Sequence, residues 1–338
     1  MPDAARPVAL AAMSTDAFEL LFDAARRERF ASLAAVPDRM LLDDLSDPRL
    51  DAELAEVEVL ITSWGAPEFD AELLARLPRL RAVFHAAGSV RAQVTEEFWQ
   101  RGIRITTAAE ANSVPVAEFT LAAILLAGKR VLPQIGVLVS EDDAGAQLRQ
   151  RAIGNLDRTV GIVGYSRIGR RVVDLLRPFD GLRVLVADPF ADADEVAAAG
   201  AALVPLERML PAVDVLSLHA PALPSTHHMI AAPQLAALRD GATVINTARG
   251  SLIDHDALLV EARTGRLDAI LDVTDPEPLP ADSELLALPN VAVTPHLAGS
   301  LGTEARRLTD LALDELEAYI AGREPRYPVT AETLSLMA

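Results

Sequence analysis

Three charged side chains in the second half of the chain are suited to proton and hydride chemistry on a small acid. Arg249 stands in an Asn-Thr-Ala-Arg-Gly sequence, Glu277 in Pro-Glu-Pro and His296 in Thr-Pro-His. A guanidinium binds a carboxylate through two parallel hydrogen bonds, and an imidazole exchanges a proton near neutral pH. A carboxylate beside that imidazole holds its ring and favours its charged form. Together the three residues suit hydride transfer to a 2-keto acid.

A glycine-rich turn upstream of these residues is typical of a dinucleotide site. The turn runs from Gly164 to Gly169, between a strand-like run and the helical pattern of Arg170–Leu176. Its backbone N–H groups and the positive end of the following helix would face a pyrophosphate. Ser166 replaces the middle glycine, so the match to the motif is incomplete. Ile168 stands where the nucleophile elbow of a serine hydrolase needs glycine, and that activity is therefore not expected.

Asp188 indicates which dinucleotide would bind. It lies about 20 residues after Gly169 and directly follows the predicted strand Arg183–Ala187. A carboxylate there accepts hydrogen bonds from the adenosine ribose and repels a 2′-phosphate. This predicts NAD rather than NADP. The alternative interpretation is a turn residue before Pro189.

Metal and thiolate chemistry are not predicted. The chain has no cysteine, which excludes disulfides, thiolate nucleophiles and zinc–thiolate centres. The adjacent His227 and His228, and the acids Asp192, Asp194 and Glu195, match no common metal-binding spacing. We interpret them as solvated loop residues.

Short apolar runs alternate with amphipathic segments, as in parallel sheets covered by helices. The predicted strands of the first third are Val8–Ala12, Val57–Thr62, Leu80–Phe84 and Ile103–Thr106. The second series contains six: Thr159–Val163, Arg183–Ala187, Val213–Leu218, Ala242–Ile245, Ala269–Val273 and Val291–Val293. We expect two doubly wound α/β domains, one of the Rossmann type and one flavodoxin-like. Open parallel sheets bind ligands at the carboxyl ends of their strands, where Arg249, Glu277 and His296 would lie.

Composition and charge narrow the possible partners. The chain has 338 residues, of which 51% are hydrophobic and 24% charged, as in soluble proteins with two domains. A formal net charge of −18 repels nucleic acid and anionic membranes, so neither is an expected partner. The first residues lack the pattern of a signal peptide, and the apolar run near Leu121–Ala127 is far shorter than a membrane span. We expect a cytoplasmic protein.

From about Arg81 to Gly302 the chain resembles the D-isomer-specific 2-hydroxyacid dehydrogenases, the family that includes phosphoglycerate dehydrogenase and glyoxylate/hydroxypyruvate reductase. The resemblance rests on the joint occurrence of the dinucleotide turn, Asn-Thr-Ala-Arg-Gly, Leu-Asp-Val with Pro-Glu-Pro, and Thr-Pro-His. It implies that Arg249 binds the substrate carboxylate and keto oxygen, that His296 is the acid/base, and that Glu277 pairs with His296. Glu277 also differs from the glutamine that formate dehydrogenases have at this place.

The resemblance implies NAD as cofactor and assigns its contacts. Asp272 would hold the nicotinamide carboxamide, while other residues follow the pyrophosphate, the adenosine and the nicotinamide ribose. The implied cofactor contacts are Gly164, Ser166, Arg167, Ile168, Gly169, Asp188, His219, Pro221, Thr226, Thr247, Ala248, Arg249, Asp272 and His296. No metal is implied.

The loop of residues 86–91 matches the place of the family's substrate loop. Backbone N–H groups of Gly88 and Ser89 would meet the substrate carboxylate, together with Arg249 and His296. Arg91 stands where the family usually has aspartate. It is either a contact for a second acidic group of the substrate or a surface residue.

The resemblance also predicts how the chain is organised. We expect residues 1–111 and 298–338 to form the substrate domain and residues 112–297 the NAD domain, with a hinge near Asn112 and Ala298 and the substrate in the cleft between them. A homodimer is implied as well. The competing hypothesis is an NADH-sensing binding protein, as the related corepressors are, because fold alone does not decide function. The intact Arg249, Glu277 and His296 favour an enzyme.

Overall fold

The computed structural model describes residues 6–135 and 153–334. The N-terminal residues considered above for a signal peptide lie in part outside this range. The chain forms two compact units. The first comprises Met1–Asn112 and Ser300–Met337, and the second comprises Ser113–Gly299.

The first unit contains a parallel sheet of five strands among the described residues, in the order β2-β1-β3-β4-β5. Its strands are β1 (Ala9–Ala12), β2 (Leu41–Leu42), β3 (Val59–Thr62), β4 (Ala82–His85) and β5 (Arg104–Thr107). Its helices are Thr15–Leu21, Ala24–Leu33, Asp51–Leu54, Ala71–Arg76, Glu96–Gln100, Arg306–Ile320 and Ala331–Leu334. Two short 3₁₀ segments are Pro48–Leu50 and Gly302–Ala305.

Helices cover both faces of this sheet, because successive strand residues point to opposite sides. Ala9 and Ala11 belong to one buried cluster, which includes Leu308 and Leu316 of the helix Arg306–Ile320. Leu10 lies in the opposite cluster, with the side chains of Ala71–Arg76 and its neighbours. The strand order and the two covered faces are those of a flavodoxin-like sheet.

The second unit contains a parallel sheet whose described strands number seven, in the order β12-β11-β10-β9-β6-β7-β8. Its strands are β6 (Arg158–Val163), β7 (Leu182–Ala187), β8 (Ala202–Leu203), β9 (Val215–Leu218), β10 (Thr243–Asn246), β11 (Asp268–Leu271) and β12 (Val291–Val293). Its helices are Arg167–Leu176, Ala193–Ala198, Leu206–Met209, Ala232–Ala237 and His255–Arg263, together with most of Ala109–Gly128, within which the unit boundary falls. The 3₁₀ segments are Leu132–Gln134, Leu210–Ala212, Gly250–Leu252 and Glu284–Ala287.

The predicted fold class is confirmed: both units are α/β layers around parallel sheets. The strand count was wrong by one in each series, because Leu41–Leu42 and Ala202–Leu203 were missed. Each is only two residues long and lies at an edge of its sheet. A pair of residues is too short to show the alternation or the apolar run by which strands are recognised.

The helix Ala109–Gly128 extends well beyond the short apolar run noted in the sequence. Within the described chain it alone is long and apolar enough to cross a membrane by composition. Half of that stretch is buried, and Ala117, Ile124 and Ala127 pack against the sheet of the second unit. Such packing is typical of a helix in the core of a globular domain.

Candidate active site

Three neighbouring strands of the second sheet bring the predicted catalytic loops to one edge. In the parallel register Asn246 of β10 pairs with Leu271 of β11, which in turn pairs with Val293 of β12. The residues that follow these strand ends therefore start at the same level. Arg249 follows β10, Asp272 and Glu277 follow β11, and His296 follows β12.

Within this edge the structure brings Glu277 and His296 into direct contact. The Nδ1 atom of His296 lies 2.5 Å from Oε1 of Glu277, and both side chains remain about half exposed. With Nδ1–H donating to the carboxylate, Nε2 is the ring atom that can exchange a proton with a ligand. The arrangement is that of an imidazole oriented by a carboxylate.

Asp272 organises the loop that carries His296. Its carboxylate, almost fully buried, accepts hydrogen bonds from Thr294 Oγ1 at 2.6 Å and from the backbone N–H groups of Leu297 and Ala298 at 2.8 and 2.9 Å. Its own carbonyl accepts from the His296 N–H at 3.0 Å. His296 has a φ of 52°, which is uncommon for a residue with a side chain. Asp272 therefore holds the histidine in a backbone conformation that it would rarely adopt by itself.

The Asn-Thr-Ala-Arg-Gly segment forms a tight loop around its own asparagine. Asn246 donates from Nδ2 to the carbonyl of Arg249 at 2.8 Å and accepts the N–H of Ala248 at 3.1 Å. Arg249 is half-buried, and its Nη1 donates to the Ala248 carbonyl at 2.6 Å. A Cβ on Gly250 would lie 2.0 Å from the backbone of Thr274. Glycine at this position thus allows the Arg249 loop to pack directly on the loop that leads to Glu277.

The glycine-rich turn lies at the same edge of the sheet, on the other strands. Val163 of β6 pairs with Ala187 of β7 and with Leu218 of β9, so Gly164, Asp188 and His219 follow at one level. Gly164 has a φ of +95°, and a Cβ there would lie 2.6 Å from the backbone of His219. A Cβ on Gly169 would lie 2.0 Å from the Gly164 carbonyl oxygen. Both glycines are therefore required by close backbone contacts.

Ser166 is compatible with this turn although the usual motif has glycine. Its φ of −95° is accessible to any residue, and it directly precedes the helix Arg167–Leu176. Ser166 and Arg167 are exposed and Ile168 is half-buried at that helix N-terminus. Backbone N–H groups at such a helix end bind phosphate groups well.

Asp188 has the turn contact that the sequence offered as the alternative, and it also contacts the glycine turn. Its Oδ2 accepts the N–H of Tyr165 in the glycine turn at 2.7 Å, and its Oδ1 accepts the N–H of Phe190 at 2.8 Å. The bond to Phe190 is typical of a turn residue, while the bond to Tyr165 fixes the carboxylate beside the glycine turn. A carboxylate has about four acceptor positions, so each oxygen can still accept from a ligand hydroxyl.

Other predicted cofactor contacts differ in how their side chains are used. Thr226 donates to the carbonyl of Pro221 at 2.6 Å and accepts the N–H of Leu223, so its hydroxyl closes its own loop. Thr247 is buried and bonds the hydroxyl of Thr120 at 2.9 Å. Ala248 is buried as well.

His219 is a buried neutral histidine beside the glycine turn. Its Nε2 lies 2.9 Å from Ser217 Oγ, while Nδ1 is buried without a protein partner. Burial lowers its pKa to about 3. An unpartnered buried ring nitrogen costs free energy unless a ligand or water meets it.

The predicted substrate loop lies in the first unit, after β4. Gly88 and Ser89 are half-buried, and Arg91 is exposed. The ring of His85, at the start of the loop, lies 2.9 Å from Thr62 Oγ1, and burial lowers its pKa to about 4. Ser63 donates to the Ala86 carbonyl at 2.9 Å. These buried side chains tie the base of the loop to β3.

Sequence reasoning missed two of these supporting roles. Asp272 was expected only as a cofactor contact, whereas its carboxylate also anchors the His296 loop. His85 was overlooked, although it is a polar residue directly after the predicted strand Leu80–Phe84, where parallel sheets place functional groups. The hydrogen-bond partners of Asp272 and His85 are too distant along the sequence to have indicated these contacts.

Comparisons with known proteins identify the family of the chain. A family model described as D-isomer specific 2-hydroxyacid dehydrogenase, NAD-binding domain, matches residues 122–298. A glyoxylate reductase of Korarchaeum cryptofilum is 32% identical over 271 residues, covering 79% of this chain and 81% of the relative. An (S)-sulfolactate dehydrogenase of Chromohalobacter salexigens is 33% identical over 296 residues, covering 85% and 91%. The crystal structure of the TT0316 protein from Thermus thermophilus has a TM-score of 0.72 at 30% identity, covering 95% of this chain and 100% of that one.

The chain belongs to the D-isomer-specific 2-hydroxyacid dehydrogenase family. Its second unit contains the NAD-binding domain of that family, and NAD is its cofactor, as predicted.

Proposed function

We propose that the protein is an NAD-dependent oxidoreductase that interconverts a small 2-keto acid and the corresponding D-2-hydroxy acid. The observation that carries the proposal is the Glu277–His296 contact of 2.5 Å, at the strand edge that also carries Arg249. The D configuration follows from family membership, because the two faces of the keto carbon are not distinguished by these contacts alone.

The residues around the glycine turn fit the cofactor. Gly164 and Gly169 permit the close backbone approach, the helix N-terminus at Ser166 and Arg167 would bind the pyrophosphate, and Asp188 would accept from the adenosine ribose. The orphaned Nδ1 of His219 offers a further polar contact in the same region. The remaining proposed contacts are Ile168, Pro221, Thr226, Thr247, Ala248, Arg249, Asp272 and His296. Bound NADH supplies the hydride that reduces the keto carbon.

The side chains of the second unit would carry the rest of the chemistry. Arg249 binds the substrate carboxylate and polarises the keto oxygen, since a guanidinium presents two parallel donors. His296 donates its Nε2 proton to the developing alkoxide, and takes it back in the oxidation direction. Glu277 keeps Nδ1–H directed at itself, so that Nε2 faces the reacting oxygen. We assign Gly88 and Ser89 as backbone donors to the same carboxylate.

The names of the relatives narrow the proposed substrate to short acids. Glyoxylate and sulfolactate each carry one carboxylate, and sulfolactate adds a second anionic group. Arg91, in the substrate loop, is the residue that we assign to such a second group. We further propose that the protein works in the cytoplasm as a homodimer, with residues 1–111 and 298–338 as the substrate domain and residues 112–297 as the NAD domain.

The decisive experiment is oxidation of NADH by the purified protein with a panel of 2-keto acids. The panel includes glyoxylate, pyruvate, hydroxypyruvate, 3-phosphohydroxypyruvate and 3-sulfopyruvate. Turnover with at least one acid, abolished by His296→Asn, supports the proposal. Tight NADH binding without turnover on any of them would instead support an NADH-sensing protein.

A further inference from the structure

Two adjacent histidines and a distant aspartate meet on the surface of the second unit. The nearest ring nitrogens of His227 and His228 and a carboxylate oxygen of Asp275 all lie within 4.8 Å of one another. The two imidazole rings are stacked, with centroids 4.0 Å apart. His228 has a φ of 49°, and its N–H donates to the Ser251 carbonyl at 2.8 Å. The loop of residues 226–229 is thus fixed to the segment Gly250–Leu252, on which the backbone at Thr274 and Asp275 also packs.

We propose that these three side chains form a site for a divalent transition-metal ion that takes nitrogen and oxygen ligands, such as Zn²⁺. Two imidazoles and a carboxylate are a common ligand set for such ions, with bonds of about 2.0–2.2 Å. Ligand atoms around one ion therefore lie up to about 4 Å apart. All three side chains are exposed, so small rotations bring their atoms to that separation. Water would complete the coordination.

A third histidine supports the same location. The Nδ1 of His255 lies 3.1 Å from the Ile253 carbonyl, which makes Nδ1 the protonated nitrogen and leaves Nε2 with its lone pair. That Nε2 is buried without a partner. The ring also interacts electrostatically with both His228 and Asp275. A histidine that donates one N–H to a carbonyl and keeps the other nitrogen bare has the form of a metal ligand or of its close neighbour. The formal net charge of −18 also draws cations to the surface.

The site would connect two functional loops. Asp275 lies two residues before Glu277, and the backbone at Thr274 and Asp275 packs on Gly250, next to Arg249. His227 and His228 follow Thr226 in the loop after β9. An ion held by all three side chains would therefore cross-link the loop after β9 to the loop that orients His296. The sequence showed only the His-His pair, because Asp275 is remote along the chain.

Binding of Zn²⁺ alone to the full-length protein tests the proposal. We expect isothermal titration calorimetry at pH 7.5, without NADH or substrate, to show one site with a dissociation constant in the micromolar range. Asp275→Asn and the double change His227→Ala with His228→Ala should each weaken it by at least about tenfold, as loss of a ligand does. Asp282→Asn removes another exposed carboxylate of the same long loop and should leave the affinity unchanged. Circular dichroism checks that each variant is folded.

A second set of variants separates this site from the His296–Glu277 pair, which also offers nitrogen and oxygen. Glu277→Gln should keep the wild-type affinity if the ion binds at His227, His228 and Asp275. Hydrogen exchange should show Zn²⁺-dependent protection of both loops in the wild type and not in Asp275→Asn. Absence of Zn²⁺ binding, equal affinity in Asp275→Asn, or affinity that depends on Glu277 instead would each overturn the proposal. None of these measurements depends on dehydrogenase activity, so they stand apart from the proposed function.

Discussion

Replacement of Asp272 by asparagine should disable the His296 loop while leaving the sheet intact. The left-handed backbone of His296 costs about 1–3 kcal/mol. The carboxylate of Asp272 opposes this with three hydrogen bonds of 2.6–2.9 Å, each contributing about 1.5–3 kcal/mol for a charged acceptor. The gross support of about 4.5–9 kcal/mol exceeds the strain, so the loop has one conformation.

In Asp272→Asn only one oxygen remains, and the amide NH₂ faces a backbone or hydroxyl donor. At most two neutral bonds survive, contributing about 1–3 kcal/mol together, which is close to the strain itself. The catalytic geometry then competes with relaxed alternatives. We expect kcat/KM for keto-acid reduction to fall by about ten- to a hundredfold or more, which corresponds to about 1.4–3 kcal/mol. Thr294→Val, which removes only the hydroxyl bond, should cause a smaller loss.

The assay is steady-state NADH oxidation at saturating NADH, with NADH affinity measured separately by fluorescence. Asp214→Asn is the matched control, because Asp214 is a half-buried acid that pairs with Arg158 away from the catalytic loops. It should leave kcat/KM near the wild-type value. Wild-type kcat/KM in folded Asp272→Asn would refute the anchoring role. A loss confined to NADH affinity would place Asp272 on the cofactor only.

Three further changes test other parts of the site. Arg249→Lys should lower kcat/KM by about ten- to a hundredfold, since one charge-assisted bond of about 1.5–3 kcal/mol is lost, with a smaller change in NADH affinity; unchanged kinetics would place Arg249 outside the substrate site. Wild type should prefer NADH, and Asp188→Ala should narrow the ratio of kcat/KM for NADH over NADPH; an NADPH preference in the wild type contradicts this prediction. Burial holds the pKa of His85 at about 4, against 6.5 in the unfolded chain, so the unfolded state takes up the proton first as the pH falls. The contribution of this group to the free energy of unfolding is therefore complete above pH 6.5 and is lost as the pH falls to 4. It amounts to up to roughly 3 kcal/mol. Urea unfolding should show that the free energy of unfolding of His85→Gln falls less steeply than that of the wild type between pH 6.5 and 4. An unchanged slope would contradict this prediction.

The sequence by itself determined the class of fold and the chemical groups. The apolar runs before Gly164, Asp188 and Asp272 predicted buried parallel strands, because such strands are hydrophobic on both faces. The glycine turn and the charged residues after strand ends indicated a dinucleotide and an acid substrate. The two-residue edge strands could not be predicted, since their pairing comes from neighbours in the sheet rather than from local pattern.

Only the tertiary structure decided which of these groups meet. The register of β10, β11 and β12 places Glu277 against His296 and brings the Asp272 carboxylate to the backbone of residues 297 and 298. The folded chain also brings Asp275 to His227 and His228, two histidines that the sequence had favoured as solvated loop residues. Hydrogen bonds and ion coordination act over a few ångströms in space, whereas these partners are separated by tens of residues along the chain. Sequence pattern records which groups are present, and the packing of the strands sets the distances at which they act.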